Sequence, residues 1–130
     1  MKIAIVTDIH IGARGDSRIF AEFQRKFFME EFFPYLDEHN IKTVFDLGDT
    51  FDRRKYINYL SLKRGKEFLF DQLAQRDIDF HALVGNHDTY YTNVNEVNSM
   101  NLLLKEYPNF NLYQDKAEHL TLGSTKFLML

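Results

Sequence analysis

Apolar residues along the chain switch between two periods. Lys2 to Thr7 is a short apolar run closed by polar residues, which predicts a buried strand. From Asp16 or Ser17, either of which can cap a helix, the apolar positions Phe20, Phe23, Phe27, Phe28, Phe32 and Leu36 recur at three- and four-residue steps. That spacing predicts a helix to about His39. Pro34 lies late in it and should kink it or end its regular part early. Lys42 to Leu47 is a second strand with β-branched and aromatic residues at its centre. A helix follows from about Asn58 to Gln75, with Leu62, Leu69 and Leu73 on one face and Gly65 as a weak point costing ~1 kcal/mol relative to Ala. Asp79 to Val84 reads as a third strand and Asn95 to Glu106 as a third helix stopped near Pro108. Phe110 to Tyr113, His119 to Leu122 and Thr125 to Leu130 read as short strands, the last two joined by a turn at Gly123-Ser124.

Strands alternating with helices imply parallel pairing and right-handed crossovers, hence an α/β fold. In such sheets ligands gather at the carboxyl ends of the strands. No internal repeat or low-complexity segment interrupts the order.

Composition narrows the class. The 130 residues are enough for one domain, or part of a larger one, with a real core. Hydrophobic residues make up 45%, as in an ordinary soluble globular protein, and the 13 Phe argue against disorder. The absence of Cys excludes a disulfide scaffold, thiolate metal ligands and a Cys nucleophile. A net charge of −3 argues against bulk electrostatic binding of nucleic acid but leaves local patches open. The apolar start stops at Thr7-Asp8, short of a signal-peptide core of ~7–15 residues, and no run approaches the ~18 apolar residues of a membrane span. The expected location is therefore the cytoplasm, with no membrane partner.

Each of the first three predicted strands is followed directly by a polar cluster: Asp8-Ile9-His10 with Gly12, then Gly48-Asp49-Thr50-Phe51-Asp52, then Gly85-Asn86-His87-Asp88. Each alone is ordinary turn or capping chemistry. Three of them on one sheet edge are not. They bring together carboxylates, imidazoles and a carboxamide, a donor set suited to a hard or borderline divalent cation such as Mn, Fe or Zn. Gly48 and Gly85 permit tight turns there.

In order and spacing these clusters resemble the first three motifs of the calcineurin-like metallophosphoesterases. Within that superfamily the chain looks most like the SbcD-type DNA repair and recombination nuclease subunits, including those of T-even-like phages. The resemblance runs from Met1 through Asn101-Leu102-Leu103-Leu104 to about Tyr113. The narrower likeness rests on Phe51-Asp52-Arg53-Arg54-Lys55, the stretch after Asp88 and the helix ending before Pro108. The protein-phosphatase branch typically has Glu where this chain has Asp88.

The resemblance implies the parallel-strand half of a metallophosphoesterase α/β-β/α sandwich, with residues 1–130 as the amino-terminal part of a longer nuclease domain. It implies two divalent ions, Mn first and Mg, Fe or Zn as alternatives. Asp8 and His10 would bind one metal, Asp49 would bridge both, and Asn86 would bind the other. His87 would act on the substrate phosphate, oriented by Asp88, and Asp52 would support a ligand from behind. The implied activity is metal-dependent phosphodiester hydrolysis on DNA, as the exo- or endonuclease subunit of an SbcCD-like complex. The implied partners are DNA, an SbcC-type SMC-like ATPase and a second copy of the chain. The helix after the first motif would contribute to the homodimer, with Phe23 or Phe27 available if exposed. For a phage-encoded chain the location would be the host cytoplasm.

The family completes its site with later Gly-His and Gly-His-x-His motifs. No His here follows a Gly. His39 reads as a helix-end residue, His81 as packed in a strand and His119 as a surface residue. The chain as it stands should therefore bind one metal weakly and show little or no activity. An incomplete sandwich should leave an open strand edge or apolar face near Leu130 and self-associate.

Two further features are open. Six basic residues and no acidic one lie between Arg53 and Lys66. With Arg53, Arg54 and Lys55 leading, the stretch is either a solvated face or a phosphate-backbone contact. Tyr56, Tyr59, Tyr90 and Tyr91 could stack on frayed bases or pack. Asp46, inside the second strand, either faces the site as support or lies at the sheet surface. The remaining alternatives are another phosphoesterase of the superfamily, acting on phosphoproteins or nucleotides, and a non-catalytic dimerisation or binding module.

Overall fold

The structure, a computed structural model, describes residues 1–52, 57–84, 106–114 and 116–130. Four strands, β1 (Ala4–Val6), β2 (Thr43–Asp46), β3 (Asp79–Leu83) and β4 (Phe110–Tyr113), form one parallel sheet in the order β1-β2-β3-β4. Two more, β5 (Glu118–Leu122) and β6 (Thr125–Met129), pair as an antiparallel hairpin through a turn in which Gly123 takes φ 59°.

Between β1 and β2 lie a short turn, α1 (Ala13–Asp16), and one long helical rod. The rod is α-helical over α2 (Arg18–Lys26), widens to π geometry over Phe27–Phe32 and resumes as α3 (Phe33–Glu38). Ser17 caps it, its hydroxyl accepting from the Phe20 N–H at 3.3 Å. Pro34 therefore does not end the helix. It sits in the first turn of α3, and the turn before it widens so that the Phe33 N–H reaches the Phe28 carbonyl five residues back. The second rod repeats the pattern: α4 (Tyr59–Gly65), π geometry over Lys66–Phe70, then α5 (Asp71–Gln75). Asn58 caps it, its side-chain oxygen accepting from the N–H groups of Leu60 and Ser61.

Because the strand order follows the chain order, successive right-handed crossovers carry the helices to the same face. Alternation within the strands then separates two cores. Ala4, Val44, Phe80 and Phe110 form one cross-strand row, and Val6, Asp46, Ala82 and Leu112 form another. The apolar members of both rows pack with Phe28, Phe33, Leu36, Phe68, Leu69, Phe70 and Leu73 from the rods. The rods meet at Phe28 and Phe68, whose rings stack 5.5 Å apart. Burying such side chains contributes roughly 1.5–3 kcal/mol each. The opposite face presents Phe45, His81, Leu83 and Tyr113, and the hairpin covers it with Leu120, Leu122, Phe127 and Met129.

β1 differs from the buried strand its sequence predicts. It is an edge strand, and Ile5 is 61% exposed on the hairpin side. The predicted helix Asn95–Glu106 lies outside the described residues except for Glu106. Leu128 and Leu130 at the end of the hairpin are largely exposed.

Candidate metal centre

The site is built where β1 and β2 run out. Past Val6 and Asp46 the two chains stay zipped by backbone hydrogen bonds: Asp8 N–H to Gly48 O (3.0 Å), His10 N–H to Asp49 O (3.0 Å), Ile11 N–H to Thr50 O (2.8 Å) and Asp52 N–H to Ile11 O (3.0 Å). The backbone between them is not extended. Asp8, His10 and Asp49 take φ values of 53°, 51° and 53°, and Gly48 takes 116°. Non-Gly residues seldom occupy this left-handed region, although Asp and His are among those that tolerate it. Ile9 and Ile11 sink into the core on the helix side and Phe51 joins them.

The result is a cluster in which Asp8, His10 and Asp49 each offer a ligand atom, all within 4.8 Å of one another. His10 Nε2 lies 3.5 Å from Asp8 Oδ1. The other ring nitrogen, Nδ1, is buried without a hydrogen bond among the described residues and sits 3.3 Å from Asp52 Oδ1. The Thr7 hydroxyl donates to Asp8 Oδ2 at 2.6 Å. This arrangement fits a divalent cation on its own chemistry. Two carboxylates and an imidazole within this range form a donor set suited to a hard or borderline divalent cation. A histidine with one nitrogen facing the cluster and the other facing a carboxylate has the form of a metal-ligand imidazole with its supporting acid.

Asp46 resolves to the supporting position and not the sheet surface. It is fully buried at the end of the helix-facing row, directly below the cluster. Its Oδ1 accepts from the Gly48 N–H at 3.0 Å and its Oδ2 from the Thr50 hydroxyl at 2.7 Å. It thus holds both sides of Asp49. Burial pushes its carboxyl up to about 6, the Thr50 and Gly48 hydrogen bonds oppose the shift, and the charges of Asp8 and Asp49 add to it. Two other polar residues hold the loop with no motif to announce them. Gln24 on α2 donates to the Ile9 carbonyl, and Ser61 on α4 donates to Asp16 Oδ1 at 2.6 Å.

The structure therefore brings together Asp8, His10, Asp49 and Asp52. Asn86, His87 and Asp88 lie outside the described residues, as do Arg53, Arg54, Lys55, Tyr56, Tyr90 and Tyr91. In the rest of the basic stretch, Lys63 is exposed, Arg64 is half-buried and Lys66 pairs with Glu106. Tyr59 is 80% exposed. None of the other three histidines joins the cluster. His39 ends α3 with its ring 4.1 Å from that of Tyr35, and His119 is exposed. His81 is buried under the hairpin, Nδ1 2.8 Å from the Tyr113 hydroxyl, and burial holds its pKa below the usual imidazole value. No helix among the described residues is long and apolar enough to cross a membrane.

Comparison with known proteins agrees with this geometry. The chain is 33% identical over 113 residues to exonuclease subunit 1 of Enterobacteria phage T4. The match covers 87% of this chain and 33% of the relative, so the chain spans about a third of that protein's length. Residues 1–129 match the calcineurin-like phosphoesterase family. With a parallel sheet flanked by helices and an Asp-His-Asp cluster at its carboxyl edge, this chain belongs to the calcineurin-like phosphoesterases.

Proposed function

We propose that the chain is the amino-terminal part of a two-metal nuclease that hydrolyses DNA phosphodiesters, acting as the nuclease subunit of an SbcCD-like complex. The observation that carries this reading is the convergence of Asp8, His10 and Asp49 in a chain similar to a phage exonuclease subunit. Asp8 and His10 would hold one cation, Asp49 would bridge to a second, and Asn86 would hold that second one, with Mn the first candidate for both. Such cations supply charge stabilisation at the phosphoryl group and activation of water. Asp52, 3.3 Å from His10 Nδ1, would orient the ring when a cation is bound, and Asp46 fixes the loop that carries Asp49. His87 delivers a proton to the leaving oxygen or stabilises its charge, and Asp88 orients His87. Arg53, Arg54 and Lys55 would contact backbone phosphates.

The described residues and Asn86 offer three ligands to the first cation and two to the second. Calorimetric titration of the chain with Mn should therefore show one weak site, and two tight sites would overturn this count. In the full-length protein, Mn-dependent turnover of a duplex DNA end should exceed turnover of nucleotides and phosphopeptides, and Asp49→Ala should abolish it. Faster turnover of the small phosphoesters would place the protein in another branch of the family. In the same protein, Arg53→Ala with Arg54→Ala should weaken DNA binding and flatten its salt dependence.

The partner in this reading is an SbcC-type SMC-like ATPase, and the description of the phage relative as a subunit supports an assembly. A second copy of the chain is the other partner. Ile19, Phe23 and Phe27 form an exposed apolar stripe on the first rod, at 73%, 65% and 52% exposure. The location in this reading is the cytoplasm, that of the host for a phage-encoded chain.

A further inference from the structure

We infer that Gln24 is a positioning residue for the metal centre, giving the Ile9–His10 peptide, which carries the backbone of the ligand His10, its second anchor. This inference rests on the metal-binding reading above. The two ligands flank Ile9, and the Ile9 carbonyl belongs to the peptide that leads directly into His10. The Ile9 side chain is anchored in the core at 8% exposure. Its neighbours on either side are both left-handed, a conformation that persists only where the surroundings enforce it. The N–H groups of Asp8 and His10 are fixed by the β2 loop. The Ile9 carbonyl has no backbone donor among the described residues, because β1 is an edge strand with no neighbour on its outer side. Gln24 supplies that donor. Its side-chain amide reaches from the middle of α2, fifteen residues along the chain, to the Ile9 oxygen. The helix is itself seated on the core two residues past its end, through Phe28. The rod thus holds the outer side of a peptide whose inner side is bonded to the β2 loop.

The test is Mn affinity by calorimetry, with urea unfolding in EDTA as the control. Gln24→Met keeps the volume and removes the donor, and Gln24→Lys restores a donor. Loss of a hydrogen bond made directly to a ligand side chain typically costs 10–100-fold in metal affinity, and for Gln24, which acts through the backbone, the lower end of about 10-fold is expected. Gln24→Met should lose about that much, with its metal-free urea midpoint nearly unchanged, and Gln24→Lys should recover part of the loss. A Gln24→Met chain that binds Mn like the wild type overturns the proposal. If Gln24→Met fails to fold, Gln24→Ala, which also lacks the donor, decides: a loss of about 10-fold or more in Mn affinity supports the proposal, and wild-type-like affinity overturns it. Failure of the wild-type chain itself to bind Mn would overturn the metal-centre reading and the inference with it.

Discussion

Asp46→Asn offers a direct measure of what the loop beneath the site costs the fold. In the metal-free chain the Asp46 carboxyl is raised from an ordinary value of 3.8 to about 6, with burial as the main cause. The folded chain therefore holds this proton more tightly than the unfolded chain. The sign follows directly. Above pH 6 both states are ionised and Asp46 is unfavourable by its full amount, and the penalty is relieved as the pH falls from about 6 toward 3.8. A shift of this size corresponds to about 3 kcal/mol, of which about 2 kcal/mol should disappear between pH 8 and pH 4.5. Asn has no charge to desolvate, and its own mismatch with the Thr50 hydroxyl is independent of pH. The difference in stability between Asp46→Asn and wild type, from urea unfolding in EDTA, should thus move by about 2 kcal/mol in favour of the wild type as the pH falls from 8 to 4.5. A difference constant to within ~0.5 kcal/mol across that range, or one moving the other way, would refute the reasoning. Adding Mn at pH 8 should favour the wild type, because a cation at Asp8 and Asp49 favours the ionised form of Asp46.

Gly65→Ala should destabilise the chain by roughly 1–3 kcal/mol in thermal melts despite the better helix propensity of Ala, because a Cβ there would lie 2.9 Å from Ile11 Cδ1 and 3.1 Å from Ile11 Cγ2; a higher melting temperature would count against this. Phe23→Ser with Phe27→Ser should reduce self-association in light scattering without loss of folded signal, and a wild-type chain that is already a monodisperse monomer would refute the docking role of this stripe. The ring of His81 should titrate below about 6.5 in NMR, so that its contribution to stability is complete above that pH and is lost as the pH falls below it; titration at or above 6.5 would contradict its burial beneath the hairpin.

Much of this architecture is legible from residue order. Three apolar runs ending in polar clusters, each followed by helical spacing, specify parallel strands whose ends share an edge, and Asp8, His10 and Asp49 do meet there. Other features have no local signal. Phe68, Leu69 and Phe70 are all buried, although three consecutive α-helical positions fan over about 200°; the π turn at Lys66–Phe70 accompanies that burial with no proline to announce it. The edge position of β1 depends on strand order, which its own apolar residues do not encode. Asp46 is visible as an oddity, but its side of the sheet follows only from the register with Val6 and Ala82. Gln24 is invisible because a glutamine on a helix has no spacing rule linking it to a carbonyl fifteen residues away.

The left-handed backbone at Asp8, His10 and Asp49 has a consequence for engineering. Each of these residues holds a conformation that glycine adopts without steric strain and that Asp and His tolerate at a cost toward the low end, about 1 kcal/mol. Selection for thermal stability alone would therefore drift toward glycine at these three positions, gaining robustness while erasing the ligand cluster. Libraries screened by melting temperature should be paired with a metal-binding screen, because here the stability optimum and the functional sequence lie in opposite directions.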